Sequence, residues 1–289
     1  MVKNRVKSSF LIFAELSKIK IPFAVAFSAF TGYILFKQAV DVSALIATFG
    51  VFLLAGGSAA LNQYQEFRLD ILMGRTQNRP IPSGRFSAGR TLIFSMVFSV
   101  IGAAILFFGA NFTAFLIGLL TLVWYNGIYT PLKKRTVFAV LAGAFVGAFP
   151  PLIGWAAAGG NVFDSEILMI AALLFIWQVP HFILLLLKYG KEYEIAGFSA
   201  LTSYLSEAQL RKVIFIWILA TAFSVIIIIV SGMIGSKIII TALMASSVWL
   251  IFTFYFILKK QQVNFKMAFI QINLFLLLVL ALFSVDSLL

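Results

Sequence analysis

The sequence predicts an all-α integral membrane protein with nine transmembrane helices. Two observations carry that prediction. Of its 289 residues 62% are hydrophobic and 11% charged, and the mean hydropathy is +1.05. An ordinary soluble domain is about 25% charged, and a globule of this size has no interior large enough for so much apolar surface. Apolar stretches of roughly 20 residues, the length that crosses a bilayer as a helix, also recur along the whole chain. Backbone groups find no water in the hydrocarbon layer, so helices are expected, and the short alternating segments of a barrel are missing.

The spans, in order, are 19–36, 43–65, 91–109, 112–130, 137–158, 166–187, 213–232, 237–258 and 267–285. The basic start, Met1 to Ser9, imitates a signal peptide. The apolar segment after it is long and lacks a clear small-residue cleavage site, so it reads as the first span. Lysines and arginines then check the count. They precede span one (Lys3, Arg5, Lys7, Lys18, Lys20) and follow span two (Arg68, Arg75, Arg79, Arg85, Arg90) and span four (Lys133, Lys134, Arg135). More follow span six (Lys188, Lys191, Arg211, Lys212) and span eight (Lys259, Lys260, Lys266). Of the 22, only Lys37 and Lys237 fall on the other side. The positive-inside rule places the N-terminus and the even-numbered connections in the cytoplasm and the C-terminus outside. A miscounted helix would have scrambled this alternation. Two connections on the basic side are long, 66–90 and 188–212. Each follows an even-numbered span and four helices separate them, so one domain over 1–289 is expected, with two similar halves sharing a mouth.

A formal charge of +12 on a soluble surface would suggest nucleic acid. Here the cations sit in membrane-edge connections, and no nucleic acid is expected. With no cysteine there is no disulfide, thiolate metal site, iron–sulfur cluster or cysteine nucleophile. The single histidine, His181, leaves no bis-histidine haem within one chain, which argues against a cytochrome-like electron carrier.

Asn62, Glu66 and Asp70 stand four residues apart at the end of span two. On a helix they form one stripe, with neighbours roughly 6 Å apart. A mid-membrane acid costs about 2.5–3.5 kcal/mol, less towards the interface, so the stripe implies a partner or a function. A carboxylate stripe at a polar membrane site suits Mg²⁺, which is commonly held by one or two carboxylates, waters and substrate phosphate. Arg75 and Arg79 supply forked donors that match phosphate oxygens. Pro80, Pro82 and Gly84 end the helix and turn the chain. Acid, amide and guanidinium together read as a Mg²⁺–diphosphate site. In the plainer reading the arginines mark topology and the acids pair with them. That reading suits Arg68, Arg85 and Arg90, and suits Glu66, Asp70 and Arg79 poorly, because spacing, amide and depth coincide there. Lys133, Lys134 and Arg135 either steer anions or mark topology. His181, just after Pro180 inside span six, is either a packed ring or a functional polar group at membrane depth.

Asn62, Glu66 and Asp70, followed by Met73, Arg75-Thr76, Arg79-Pro80 and Gly84, resemble the first acidic motif of the UbiA-type intramembrane prenyltransferases. More narrowly they resemble the protoheme IX farnesyltransferase (haem O synthase) branch. Residues 129–136 (YTPLKKRT) and 147–155 (GAFPPLIGW) agree with that branch, so the resemblance runs from about 62 to 212. The flanking spans add only hydropathy. The resemblance implies helices around a central cavity. It implies transfer of the farnesyl group of farnesyl diphosphate to a vinyl group of haem B with addition of water, giving haem O and diphosphate for terminal-oxidase haem. It implies Mg²⁺ on Asn62, Glu66 and Asp70, with Glu192 as a further ligand where an aspartate is usual, followed by the expected Tyr193. Arg75, Arg79, Lys133 and Lys191 would lie near the diphosphate and His181 on the acceptor side. The family's proline-rich continuation is replaced by residues 197–202 (GFSALT). Haem A synthase or terminal-oxidase assembly partners, a cell inner membrane and a cytoplasm-facing site are further implications. Two rivals remain: the same fold acting on an aromatic quinone precursor, and a secondary transporter with internal repeats and broken helices.

Overall fold

A computed structural model describes residues 9–289, so Lys3, Arg5 and Lys7 lie outside the described residues. All regular structure among the described residues is helical. The elements are α1 (Ser9–Leu16), α2 (Lys20–Lys37), α3 (Val42–Asp70), α4 (Ala88–Gly109) and α5 (Phe112–Val123). A π-helical stretch, Trp124–Tyr129, joins α5 to the single turn α6 (Thr130–Leu132). Then come α7 (Ala139–Ala157), α8 (Ser165–Ile195), α9 (Glu207–Val230), α10 (Lys237–Lys259) and α11 (Phe265–Asp286). Among the described residues eight helices are long and apolar enough to cross a membrane. The expected first span is α2, whose 18 residues carry a lysine at either end that dilutes its apolar run.

Helix starts follow local chemistry. Asp41, Ser87, Asn111, Ser206 and Asn264 each accept a hydrogen bond from a backbone N–H of the first turn, of α3, α4, α5, α9 and α11 respectively. Ends depend on where a breaker stands. Nothing after residue 65 stops α3 before Gly74, so it runs on to Asp70 and carries the acidic stripe on helix rather than loop. Likewise α8 continues eight residues beyond 187, to Ile195, and ends before Gly197, whose φ of +80° favours glycine. The 188–212 connection is therefore partly helical. Pro131 supplies no N–H, and the turns before it widen into the π-helical stretch.

The long helices form a ring in chain order, with α11 closing against α2 and α2 also packed on α7. That last contact is backbone on backbone. A Cβ built at Gly154 would lie 1.7 Å from the Ala29 carbonyl oxygen, and one at Gly32 would lie 2.1 Å from that of Pro151. Small residues allow such approach where lipid supplies no hydrophobic drive between helices. The main core lies among α7–α11, around Ile167, Leu243, Phe254, Phe275 and Phe283. Large apolar residues such as Ile93, Val100, Ile216 and Phe252 face outward, as lipid contact requires.

The two ends of the ring are tied separately. At one end the Ser199 N–H donates to Lys133 O, the Arg75 N–H to Glu192 Oε2, and Arg211 Nη1 to Leu258 O. At the other, the N–H groups of Gly235 and Ser236 donate to the Asp286 carboxylate, and Asn111 Nδ2 donates to Ala156 O. The acidic stripe belongs to the first end.

Candidate active site

Asn62, Glu66 and Asp70 lie on one face of α3 and are 1%, 5% and 1% exposed. Buried charge must be matched, and here each side chain of the stripe meets a partner from a different segment. Arg79 Nη1 donates to both Asp70 oxygens, at 2.8 and 2.7 Å. Lys133, from the turn after α6, forms an ion pair with Glu66. Lys18, between α1 and α2, donates from Nζ to Asn62 Oδ1 at 3.3 Å. Burial, and next the Arg79 charge, hold the Lys18 ammonium well below the usual lysine value.

Local folding places each cation. Thr76 Oγ1 donates to Asp70 O and the Arg79 N–H to Thr76 O, so the chain leaving α3 curls back and returns Arg79 to the helix end. Lys133 Nζ sits 5.0 Å from the Tyr129 ring centre and 5.7 Å from that of Phe198, which fixes it as a cation over two ring faces. Gln63 Nε2 caps α1 by donating to Glu15 O and Leu16 O. The turn that follows has Lys18 at a φ of 50°, and its side chain reaches back over α3.

The second segment meets the first through Arg75 and Glu192. The Arg75 N–H donates to Glu192 Oε2 at 3.1 Å, and Arg75 Nη2 donates to Tyr193 Oη at 2.9 Å. The Arg75 guanidinium also lies over the rings of Tyr189 and Tyr193. The fold therefore brings together Asn62, Glu66, Asp70, Arg79 and Lys133, with Arg75 and Glu192 beside them. Lys191 is exposed on α8, and among the described residues it makes no hydrogen bond or ion pair with this cluster. His181 lies apart, its ring centre 4.9 Å from Trp177 and 4.6 Å from Phe269. Its buried Nδ1 has no hydrogen-bond partner among the described residues. Phe182, stacked on Tyr129 at 5.9 Å, links that aromatic nest to Lys133.

Sequence reasoning missed Lys18, Asn126 and Thr130. Asn62 Nδ2 donates to Thr130 Oγ1 at 3.1 Å, whereas Asn126 accepts from Ser58 Oγ and donates to Ser58 O and Gln65 Oε1. The Asn126 carbonyl in turn accepts from Gln65 Nε2. An amide inside an apolar span was the signal for Asn126. Lys18 had none, because it looked like any lysine preceding a span.

Among the described residues no three His, Asp or Glu side chains converge into a ready-made metal cluster. The stripe does fit Mg²⁺ with phosphate: two carboxylates and an amide oxygen leave positions for substrate oxygens and water, and the neighbouring cations can release the acids by turning to phosphate. Residues 23–279 match the UbiA prenyltransferase family. A protoheme IX farnesyltransferase from Nitratidesulfovibrio vulgaris is 34% identical over 215 residues, 74% of this chain and 75% of that protein.

The chain belongs to the UbiA prenyltransferase family, in its protoheme IX farnesyltransferase branch.

Two solved structures share the fold. One, of digeranylgeranylglyceryl phosphate synthase, is 15% identical with a TM-score of 0.76 over 98% of this chain and 99% of that one. A UbiA homologue from Archaeoglobus fulgidus, bound to GPP and Mg²⁺, is 14% identical with a TM-score of 0.69 over 94% and 99%. In this UbiA member the paired charges stand at one end of the helical ring.

Proposed function

We propose that this UbiA member transfers the farnesyl group of farnesyl diphosphate to a vinyl group of haem B, with addition of water, giving haem O and diphosphate. The observation that carries the reading is the buried α3 stripe, with its side chains held by Lys18, Lys133 and Arg79 from three other segments. Relatives named protoheme IX farnesyltransferase support the acceptor and donor. The complex of the Archaeoglobus fulgidus homologue with GPP and Mg²⁺ supports the metal. We place the chain as nine spans of one domain in the cell inner membrane, with the paired-charge end facing the cytoplasm, as the charge asymmetry indicates.

Asn62, Glu66 and Asp70, with Glu192, would hold Mg²⁺, which when bound supplies positive charge to the diphosphate. Arg75, Arg79 and Lys133 neutralise the leaving diphosphate as the allylic C–O bond breaks and the oxygen keeps the electron pair; Lys191, exposed on α8 outside the cluster, is left without that role. The vinyl π electrons then form the new C–C bond. Water bonds to the porphyrin-side cation and releases a proton. Helix walls keep bulk water from the allylic cation beforehand, and His181 orients the acceptor from its aromatic nest.

Incubating the protein in membranes with farnesyl diphosphate and haem B tests this. Haem O and diphosphate are expected, and a chelator should abolish both until Mg²⁺ is restored. Prenylation of an aromatic acid without haem O would overturn the acceptor, and flux without bond formation would indicate a transporter.

A further inference from the structure

The proposed reaction gives no role to Arg85, a fixed cation at the mouth. Beside the paired charges opens a cleft of about 270 Å³, lined by Glu15, Arg75, Asn78, Arg79, Pro80 and Arg85. Arg85 is braced by its own loop: Nε donates to Ser83 Oγ at 3.0 Å and Nη2 to Asn78 O at 2.6 Å. That loop is closed by Gly84 at a φ of +72° and by the Phe86 N–H donating to Pro80 O. The acid that Arg85 meets comes from elsewhere, Glu15 of α1, at 2.8 Å, and both side chains are 32% exposed. α1 is held independently by Gln63 and by Phe13 stacked on Phe94.

Three guanidiniums and one carboxylate thus line the cleft. Arg79 is committed inward to Asp70. Arg75 is braced by Tyr193 Oη, and Arg85 points to solvent against a partly exposed acid. A pair of that exposure is held weakly, whereas a pre-positioned guanidinium binds an incoming oxyanion with little ordering cost.

We propose that Arg85, with Asn78 and beside Arg75, forms a second oxyanion subsite at the mouth, which takes an anionic group of a substrate in exchange for Glu15. The proposal rests on the function proposed above, because both substrates carry such groups. One source is a carboxylate side arm of the porphyrin; the other is a phosphate of the prenyl diphosphate.

The test uses the full-length protein in lipid nanodiscs with Arg85→Ala, Arg85→Lys and Glu15→Gln, and Arg90→Ala as an exposed-cation control. Arg85→Ala should raise KM about tenfold, the order that loss of one charge-assisted hydrogen bond supports, with the effect on KM rather than kcat. Arg85→Lys should recover part of the loss, and Glu15→Gln should lower KM by removing the competing acid. A carboxylate source puts the shift in KM for haem B and abolishes it with the haem dimethyl ester. A phosphate source puts it in KM for farnesyl diphosphate and in calorimetric binding of inorganic pyrophosphate. Unchanged KM for both substrates, with unchanged pyrophosphate binding, overturns the subsite while wild-type turnover leaves the proposed function standing. Wild-type protein that makes no haem O overturns the function instead. In that event the subsite stands or falls on whether Arg85→Ala weakens pyrophosphate binding.

Discussion

Lys133, Lys134 and Arg135 are consecutive cations of one turn, yet only Lys133 faces inward, its side chain 16% exposed and paired with Glu66. Its neighbours are exposed. Removing one partner of a buried pair leaves an uncompensated charge, at a cost of about 3–5 kcal/mol. Lys133→Ala is therefore expected to lower haem O formation on the order of a hundredfold, with a lower unfolding temperature, whereas Lys134→Ala leaves both unchanged. Equal losses in the two would remove Lys133 from the site. Asp70 is bound to Arg79 in the same way, so Asp70→Asn should abolish turnover while the protein still inserts, as judged by membrane extraction. The acids and cations of this site neutralise one another in the free protein.

At the scale of the helix, α3 meets two separate demands. Its extension to Asp70 puts the stripe on a rigid face, and its Ser58, Asn62 and Gln65 bond the π-helical stretch and the turn after it. Asn126→Leu keeps the branched shape and removes this polar link; turnover should fall at least tenfold while far-UV helicity is retained, since a buried amide network is replaced by unpaired groups on Ser58 and Gln65. The α2–α7 contact makes a second prediction. A methyl at Gly154 would collide with the Ala29 backbone, and overpacking of this kind costs about 1–3 kcal/mol. Gly154→Ala should lower the unfolding temperature in detergent, and Gly89→Ala, with nothing within 4 Å of the added Cβ, should not. The same geometry explains the glycine at the end of the 150–154 segment: the backbone there is a packing surface.

For the molecule as a whole, the two long helices α3 and α8 deliver Asp70 and Glu192 to one end of the ring, where the connections after α3, α6 and α8 meet. The absence of native cysteine makes the orientation measurable. Single cysteines replacing Lys134 and Lys37 should label with a membrane-impermeant maleimide from opposite sides of sealed vesicles, Lys134→Cys from the cytoplasmic face. Labelling of both from one side would contradict the proposed topology.

Hydropathy and spacing were enough to determine the helical membrane class, most span positions and the stripe at 62, 66 and 70, because each is a local property: apolar length, and a four-residue step on one helix. The boundaries of α3 and α8 were less legible, since polar residues near the interface neither forbid a helix nor require one. Which cation meets which acid was decided only in three dimensions. Lys18 lies 44 residues from Asn62 and Glu192 lies 117 from the Arg75 N–H, and no local pattern distinguishes Lys133 from Lys134 until Tyr129 and Phe198 supply the surface on which one of them rests. Charge pairing depends on distance in space and on exclusion of water, and both arise only when the ring of helices closes.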